Sequence, residues 1–70
     1  MTPVERFASN LRAARHEAGL SQEALAEACA VHRTEVSLLE RGRRVPRLST
    51  IVRLARGLRV APARLLDGIE

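Results

Sequence analysis

The segment from Gln22 to Leu39 constrains the fold of this chain more than any other. It reads QEALAEACAVHRTEVSLL. Its apolar positions are Leu25, Ala26, Cys29, Val31, Val36 and Leu39. Apolar residues three and four apart share one face of a helix, so this spacing predicts two short amphipathic helices around a tight turn.

The second of these two helices carries polar and basic residues on its outer face. In a helix-turn-helix motif this outer face enters the major groove of DNA. We place the motif at residues 22–41, and its second helix is followed by the basic run Arg41-Gly42-Arg43-Arg44. The pattern therefore predicts a module that binds double-stranded DNA.

The composition is compatible with a polyanionic partner. The chain has 12 basic residues, all of them arginine, and 8 acidic residues, which gives a net charge of +4. A positive balance favours nucleic acid, but a GC-rich genome also enriches arginine, so charge alone leaves both explanations open. With one Phe and no Trp or Tyr, the chain lacks the aromatic platforms that stack single-stranded bases.

Size and cysteine content limit the architecture and the compartment. At 70 residues the chain has room for a single domain, residues 1–70, and its small core favours dimerisation. One cysteine cannot form an internal disulfide, which suits a reducing interior. No signal peptide is evident and no apolar run approaches the roughly 20 residues that span a bilayer, so we expect a cytoplasmic protein without membrane contact.

Helical periodicity also covers the rest of the chain. Thr2-Pro3-Val4-Glu5 predicts a capping box at the start of helix one, Gly19 ends that helix, and Ser21 caps helix two. Helix four is expected at residues 48–58 and a last helix after Ala61-Pro62. The residues expected to face inward on helix four are Leu48, Ile51, Val52, Leu54, Ala55 and Leu58. Without any strand signal, the prediction is an all-α domain of five helices.

An ordered set of motifs carries a family resemblance. The motifs are Leu-Ser-Gln at 20–22, Leu-Ala at 25–26, Val-Ser at 36–37, Leu-Glu-Arg-Gly at 39–42, then Pro46 and Leu54-Ala55. Together they resemble the phage-repressor and Cro-like helix-turn-helix domains, the XRE family, over about Val4 to Leu66. The resemblance implies a lambda-repressor-like fold and a bacterial, sequence-specific transcriptional regulator or repressor. It further implies a homodimer on a palindromic operator.

The residues predicted to read bases lie on the outer face of the second motif helix. They are Arg33, Thr34, Ser37 and Leu38. Arg33 could bond guanine in bidentate fashion, and a solvated or phosphate-bound Arg33 is the alternative. Leu38 could contact a thymine methyl group or serve as a packed edge residue.

The residues predicted to contact phosphates surround these readers. They are Gln22, His32, Arg41, Arg43 and Arg44. The role of Gln22 is implied by the resemblance, helped by the positive end of helix two. A solvated basic loop is the alternative for the three arginines. Glu40 would be repelled by phosphates, so we expect it to pair with Arg12 or Arg15.

No catalytic or metal-binding constellation stands out. Cys29 and His32 supply two ligands at most, whereas a structural zinc site typically needs four, so we expect no metal and no cofactor. Cys29 falls on the apolar face, where a thiol is ordinarily a small core residue. No nucleophile-base or paired-carboxylate arrangement is apparent, so an enzyme is not expected.

Some positions depart from the family pattern. Ala30 stands where the turn usually has Gly, which would cost roughly 1 kcal/mol in a left-handed conformation. Gly57 and Arg59 look exchanged relative to the usual end of helix four, which suggests that this helix ends early. Arg47 and Ala61 replace the usual Ser or Thr caps.

The partner surface is assigned by elimination. Leu65, Ile69 and the end of helix four are predicted at the dimer interface, and Leu66 is predicted in the core. A chain this short has no sensor domain, so no small-molecule effector is expected. The alternative function is an antitoxin-type or controller protein whose main partner is another protein, although an extended tail for wrapping such a partner is missing.

Overall fold

The computed structural model describes residues 1–70 as five α-helices without strands. They are α1 (Pro3–Glu17), α2 (Gln22–Cys29), α3 (Arg33–Glu40), α4 (Leu48–Leu58) and α5 (Pro62–Leu65). The predicted all-α, five-helix class is thus confirmed. None of these helices is both long enough and apolar enough to cross a membrane.

The starts of α1 and α2 are set by local polar side chains. Thr2 Oγ1 accepts a hydrogen bond from the Glu5 amide at 3.1 Å, and Glu5 Oε1 accepts one from the Thr2 amide at 2.8 Å. This confirms the predicted capping box, and the same bonds to Thr2 lower the pKa of Glu5. Ser21 accepts from the Ala24 amide at 3.0 Å and so caps α2 as expected. Gly19 has a φ of 71°, which a left-handed helix end requires.

Two non-glycine residues adopt left-handed backbone conformations. Ala30, at the turn of the motif, has a φ of 55°, so the anticipated strain is present. Arg59 has a φ of 58° and ends α4 in the same way, with its amide donating to the carbonyls of Ala55 and Arg56. The early end expected for helix four is therefore wrong, because Arg59 adopts the cap conformation that usually selects glycine.

The core lies between all five helices. It is aliphatic apart from one aromatic ring and one thiol. Its members are Phe7, Leu11, Ala14, Leu25, Ala26, Cys29, Val36, Leu39, Ile51, Leu54, Ala55, Leu58 and Leu65. The two halves of the motif thus share one core with the helices that support them.

Three apolar residues were predicted wrongly from the sequence. Leu65 is fully buried, and Leu66, expected in the core, is 41% exposed. The cause is the short α5, whose end is fixed to α1 by Asn10 Nδ2, which donates to the carbonyls of Leu65 (3.0 Å) and Asp67 (2.8 Å). Leu48, also expected to face inward, is 77% exposed at the first turn of α4.

Gly57 lies where α4 crosses α2. A Cβ at this position would overlap Cys29 Sγ and would lie 3.1 Å from the Ala28 carbonyl oxygen. Glycine is therefore required at position 57 because the two helices approach closely there. The helical backbone conformation of Gly57 does not itself require glycine.

We predict that Gly57→Ala destabilises the domain despite the better helix propensity of alanine. Overpacking of this kind costs about 1–3 kcal/mol, whereas the propensity gain is about 1 kcal/mol. Urea unfolding would measure the loss. In a Cys29→Ala background, which removes the overlapping sulfur, the same substitution should cost less. An equal cost in both backgrounds would contradict the assigned contact.

Candidate nucleic-acid interface

One face of the motif forms a shallow concave surface made only of polar and charged residues. It is lined by Gln22, Arg33, Thr34, Ser37 and Arg41. Gln22 lies at the N-terminus of α2. The other four residues lie on the outward side of α3 and at its C-terminal cap. Three of the four predicted base readers and two of the predicted phosphate contacts are therefore brought together. We call this feature the recognition surface.

Arg33 is exposed at the start of α3 and is held by a weak partner. Its Nη1 lies 3.0 Å from Glu23 Oε1, and the two side chains are 64% and 71% exposed. Exposed pairs of this kind contribute at most about 1 kcal/mol, so Arg33 is free to exchange Glu23 for another acceptor. Its donor fork matches the O6 and N7 acceptors of guanine.

The Gln22 side chain forms one hydrogen bond within the protein. Its Nε2 donates to Glu40 Oε1 at 3.1 Å, which leaves one amide hydrogen and the carbonyl oxygen for other partners. The sequence prediction did not include this bond. Because it fixes the side chain, the free amide hydrogen of Gln22 is presented in one direction at the edge of the recognition surface.

The acceptor that holds Gln22 belongs to a buried ion pair. Arg15 donates to both carboxylate oxygens of Glu40, from Nε at 2.6 Å and from Nη2 at 3.0 Å. The two side chains are 13% and 2% exposed, and the bond to Glu40 raises the pKa of Arg15. Arg12 Nη1 donates to the Glu40 carbonyl oxygen. The expected pairing of Glu40 with helix one is confirmed for Arg15, whereas Arg12 contacts only the main chain of Glu40.

His32 caps α3 through its ring. His32 Nδ1 accepts from the Thr34 amide at 3.2 Å, so a neutral ring carries its proton on Nε2, where it can donate to an acceptor outside the chain. Arg44 lies on the same side and pairs with Glu35 at 3.5 Å. These two predicted phosphate contacts are therefore beside the recognition surface rather than on it.

The remaining predicted site residues occupy other positions. Leu38 is half-buried and does not line the recognition surface, while Arg43 is exposed in the loop after α3. Ile69 is half-buried against the core, and Leu65 is unavailable to any interface because it is fully buried. The prediction of Leu65 as a dimer residue is therefore wrong.

Cys29 is a core residue, as predicted. It is 3% exposed, its Sγ donates to the Leu54 carbonyl oxygen at 3.7 Å, and burial raises the pKa of the thiol. A protonated, inaccessible thiol is a poor nucleophile and a poor metal ligand. No three His, Cys, Asp or Glu side chains are grouped so that they could hold a metal ion.

The fold and the recognition surface define a class of protein, the helix-turn-helix DNA-binding domain. Residues 6–67 match the sequence profile of a helix-turn-helix domain family. The chain belongs to this helix-turn-helix family, whose members are DNA-binding regulators rather than a class of enzymes.

Individual relatives include controller proteins and a transcription factor. The control protein C.SmaI of Serratia marcescens is 42% identical over 62 residues, which are 89% of this chain and 74% of that protein. The restriction-modification controller protein C.AhdI of Aeromonas hydrophila superposes with a TM-score of 0.86 at 39% identity, covering 89% of this chain and 94% of that one. A hypothetical transcription factor of Neisseria has a TM-score of 0.87 at 42% identity, covering 91% and 74%.

We predict that the buried ion pair is a principal source of stability. Glu40→Gln leaves the Arg15 cation without a counter-charge, and breaking a buried pair costs about 3–5 kcal/mol. We expect the free energy of unfolding to fall by about 3 kcal/mol, at the lower end of this range, since Arg15 keeps some access to water. The matched control is Glu35→Gln on the same helix, because the partly exposed pair of Glu35 with Arg44 should contribute less than about 1 kcal/mol to stability. Equal shifts of the urea midpoint in the two variants would contradict this assignment.

Proposed function

We propose that this chain is a sequence-specific transcriptional regulator that binds a palindromic operator as a homodimer. The observation that carries the proposal is the recognition surface, in which Arg33, Thr34 and Ser37 project from one side of α3. The relatives named as a control protein and a transcription factor support the same function, and the restriction-modification controller protein C.AhdI favours restriction-modification genes as the regulated class. Such a regulator would act in the bacterial cytoplasm, where its DNA is found.

The roles of individual residues follow from their positions on α3 and around it. Arg33, Thr34 and Ser37 read base edges, with Leu38 at the margin of the groove. Gln22, Arg41 and Arg43 contact phosphates around that groove, and His32 and Arg44 contact them on the α4 side. Phosphate contacts fix the orientation of the protein on the duplex, whereas base contacts select the sequence.

We predict different effects for a reader and a phosphate contact. Arg33→Ala should relax the base preference at one position of each half-site, since a bidentate arginine–guanine contact is worth about 1–3 kcal/mol of discrimination. Arg43→Ala is the matched control. It should weaken binding to all sequences alike, and it should reduce the slope of log affinity against log salt concentration by about one. Selection from a random duplex pool, followed by titrations at several salt concentrations, would measure both.

This experiment also tests the proposal as a whole. Enrichment of an inverted repeat by the unchanged protein would support a dimeric operator-binding regulator. Binding without any enriched sequence would contradict it. If Arg43→Ala altered the preferred sequence while Arg33→Ala did not, the two roles would be assigned wrongly.

The homodimer requires an apolar surface away from the recognition surface. Such a groove exists between the start of α1, the loop before α4 and the C-terminal residues. It is lined by Pro3, Val4, Phe7, Val45, Pro46, Ile51, Leu66 and Ile69. Leu66 and Val45 are 41% and 71% exposed, and a second copy would remove these side chains from water. Ile69 keeps its predicted place in the interface, and we assign Leu66 in place of Leu65.

We predict that Leu66→Glu prevents dimerisation, because it introduces a charge at an apolar contact that two-fold symmetry repeats. Ala63→Glu introduces the same charge at an exposed position of α5 outside the groove and should leave the dimer intact. Sedimentation equilibrium would give the dissociation constants. A dimer that tolerates Leu66→Glu as well as it tolerates Ala63→Glu would exclude this groove as the interface.

A further inference from the structure

One wall of the apolar groove is made by the last residues of the chain, which have little regular structure of their own. Leu66 and Ile69 line the groove on this side. The helix before them, α5, has only four residues and begins without a side-chain cap. Beyond Leu66 the one backbone hydrogen bond runs from the Ile69 amide to the Leu66 carbonyl oxygen, at 3.1 Å. We call residues 66–70 the C-terminal segment. A terminus of this kind is poorly ordered unless other parts of the domain hold it.

The side chain that holds the C-terminal segment is that of Asn10. This residue is half-buried on α1, and its Nδ2 donates to the carbonyl oxygens of Leu65 at 3.0 Å and of Asp67 at 2.8 Å. The two bonds use both hydrogens of the amide. No other hydrogen bond or ion pair joins the C-terminal segment to helices α1 to α4.

Asn10 acts on the groove without being part of its lining. The two carbonyl groups that it holds belong to Leu65 and Asp67, the residues directly before and after Leu66. The backbone of Leu66 is therefore fixed on both sides, and this sets the direction of its side chain. Ile69 follows three residues later and packs against the core. One side chain on α1 thus fixes the wall that carries both apolar residues of the segment.

We propose that Asn10 is a positioning residue for dimerisation, which holds Leu66 and Ile69 in place before a second copy of the chain binds. This inference rests on the proposed homodimer and adds the residue that pre-organises its surface. A segment that is already ordered in the monomer loses little further conformational freedom on association, so the dimer is favoured. Because two-fold symmetry uses the segment of both copies, disorder of the segment weakens the dimer twice.

The test replaces Asn10 in the full chain and measures the dissociation constant of the dimer by sedimentation equilibrium. Asn10→Asp keeps the shape of the side chain but presents a carboxylate, which cannot donate to a carbonyl oxygen. We expect the dissociation constant to rise about tenfold or more, since each chain contributes a factor of about ten if about one segment in ten remains in place. Asn10→Ala removes the donors without adding a charge and should act in the same direction.

Glu17→Gln is the matched control. Glu17 accepts from Arg64 Nη2 at 3.0 Å and is the other polar link between α1 and α5, with its own side chain 70% exposed. This link reaches α5 and not the C-terminal segment, so its loss should leave the dissociation constant unchanged. An equal weakening by Glu17→Gln and Asn10→Asp would overturn the proposal, because any loosening of α5 would then be sufficient.

Two further measurements distinguish positioning from a general loss of stability. In a Leu66→Ala background, where a side chain that Asn10 positions is absent, Asn10→Asp should raise the dissociation constant by a smaller factor. At concentrations where the chain is monomeric, Asn10→Asp should speed hydrogen exchange in the C-terminal segment and leave α2 and α3 protected. Equal factors in the two backgrounds, or faster exchange throughout the chain, would contradict a positioning role.

The same experiments separate this inference from the proposed function. If the unchanged chain stays monomeric at every concentration, the homodimer is wrong, and the role of Asn10 is overturned together with it. If the chain dimerises, loses the dimer through Leu66→Glu and tolerates Asn10→Asp, the homodimer stands and only the role of Asn10 is overturned.

Discussion

The structure depends on the buried pair between Arg15 and Glu40. Glu40 ends α3 and is 2% exposed, while Arg15 lies on α1, so the pair fixes the recognition helix against the helix that supports it. An isolated buried carboxylate would be strongly destabilising, and this one is tolerated because Arg15 donates to both of its oxygens and Gln22 donates to one of them. The same carboxylate orients Gln22, so one interaction links the stability of the fold to the geometry of the recognition surface.

Apolar packing completes the motif where the helices approach most closely. Gly57 lets α4 lie against Cys29 and the backbone of α2, and the left-handed Ala30 directs the chain from α2 into α3. At both positions the residue is not the one that the local backbone favours. A helix interior favours alanine over glycine, and a left-handed turn favours glycine over alanine. Tertiary contacts outweigh the first conflict at Gly57. The left-handed conformation of Ala30 closes the end of α2, where the Val31 amide donates to the Ala26 carbonyl at 3.0 Å and the Ala30 amide donates to the Glu27 carbonyl at 3.3 Å.

The sequence predicted the fold well because its signals are local. The capping box at Thr2, the cap at Ser21 and the apolar periodicity of α2 and α3 each depend on residues within one or two turns. The period of α3 also put Arg33, Thr34 and Ser37 on one face. Leu66 was predicted in the core, and Leu65 was assigned to the interface by elimination, because α5 is a single turn and too short for periodicity to fix its register. The bonds from Asn10 that fix it span more than fifty residues, a separation that no local pattern reveals. The bond from Gln22 to Glu40 was missed for the same reason.

In the free protein, acidic side chains already occupy two of the arginines that would meet DNA. Glu23 holds Arg33 in an exposed pair, and Glu35 holds Arg44 in a partly exposed one. Each pair orients its arginine and is weak enough to be exchanged for a base or a phosphate at little cost. Arg41 is held more loosely, by a 3.3 Å bond from its Nε to the Ser37 carbonyl oxygen, and Arg43 makes no side-chain bond. The proposed interface thus combines two arginines that are already oriented, the reader Arg33 and the phosphate contact Arg44, with the less constrained Arg41 and Arg43, which suit a uniform chain of phosphates.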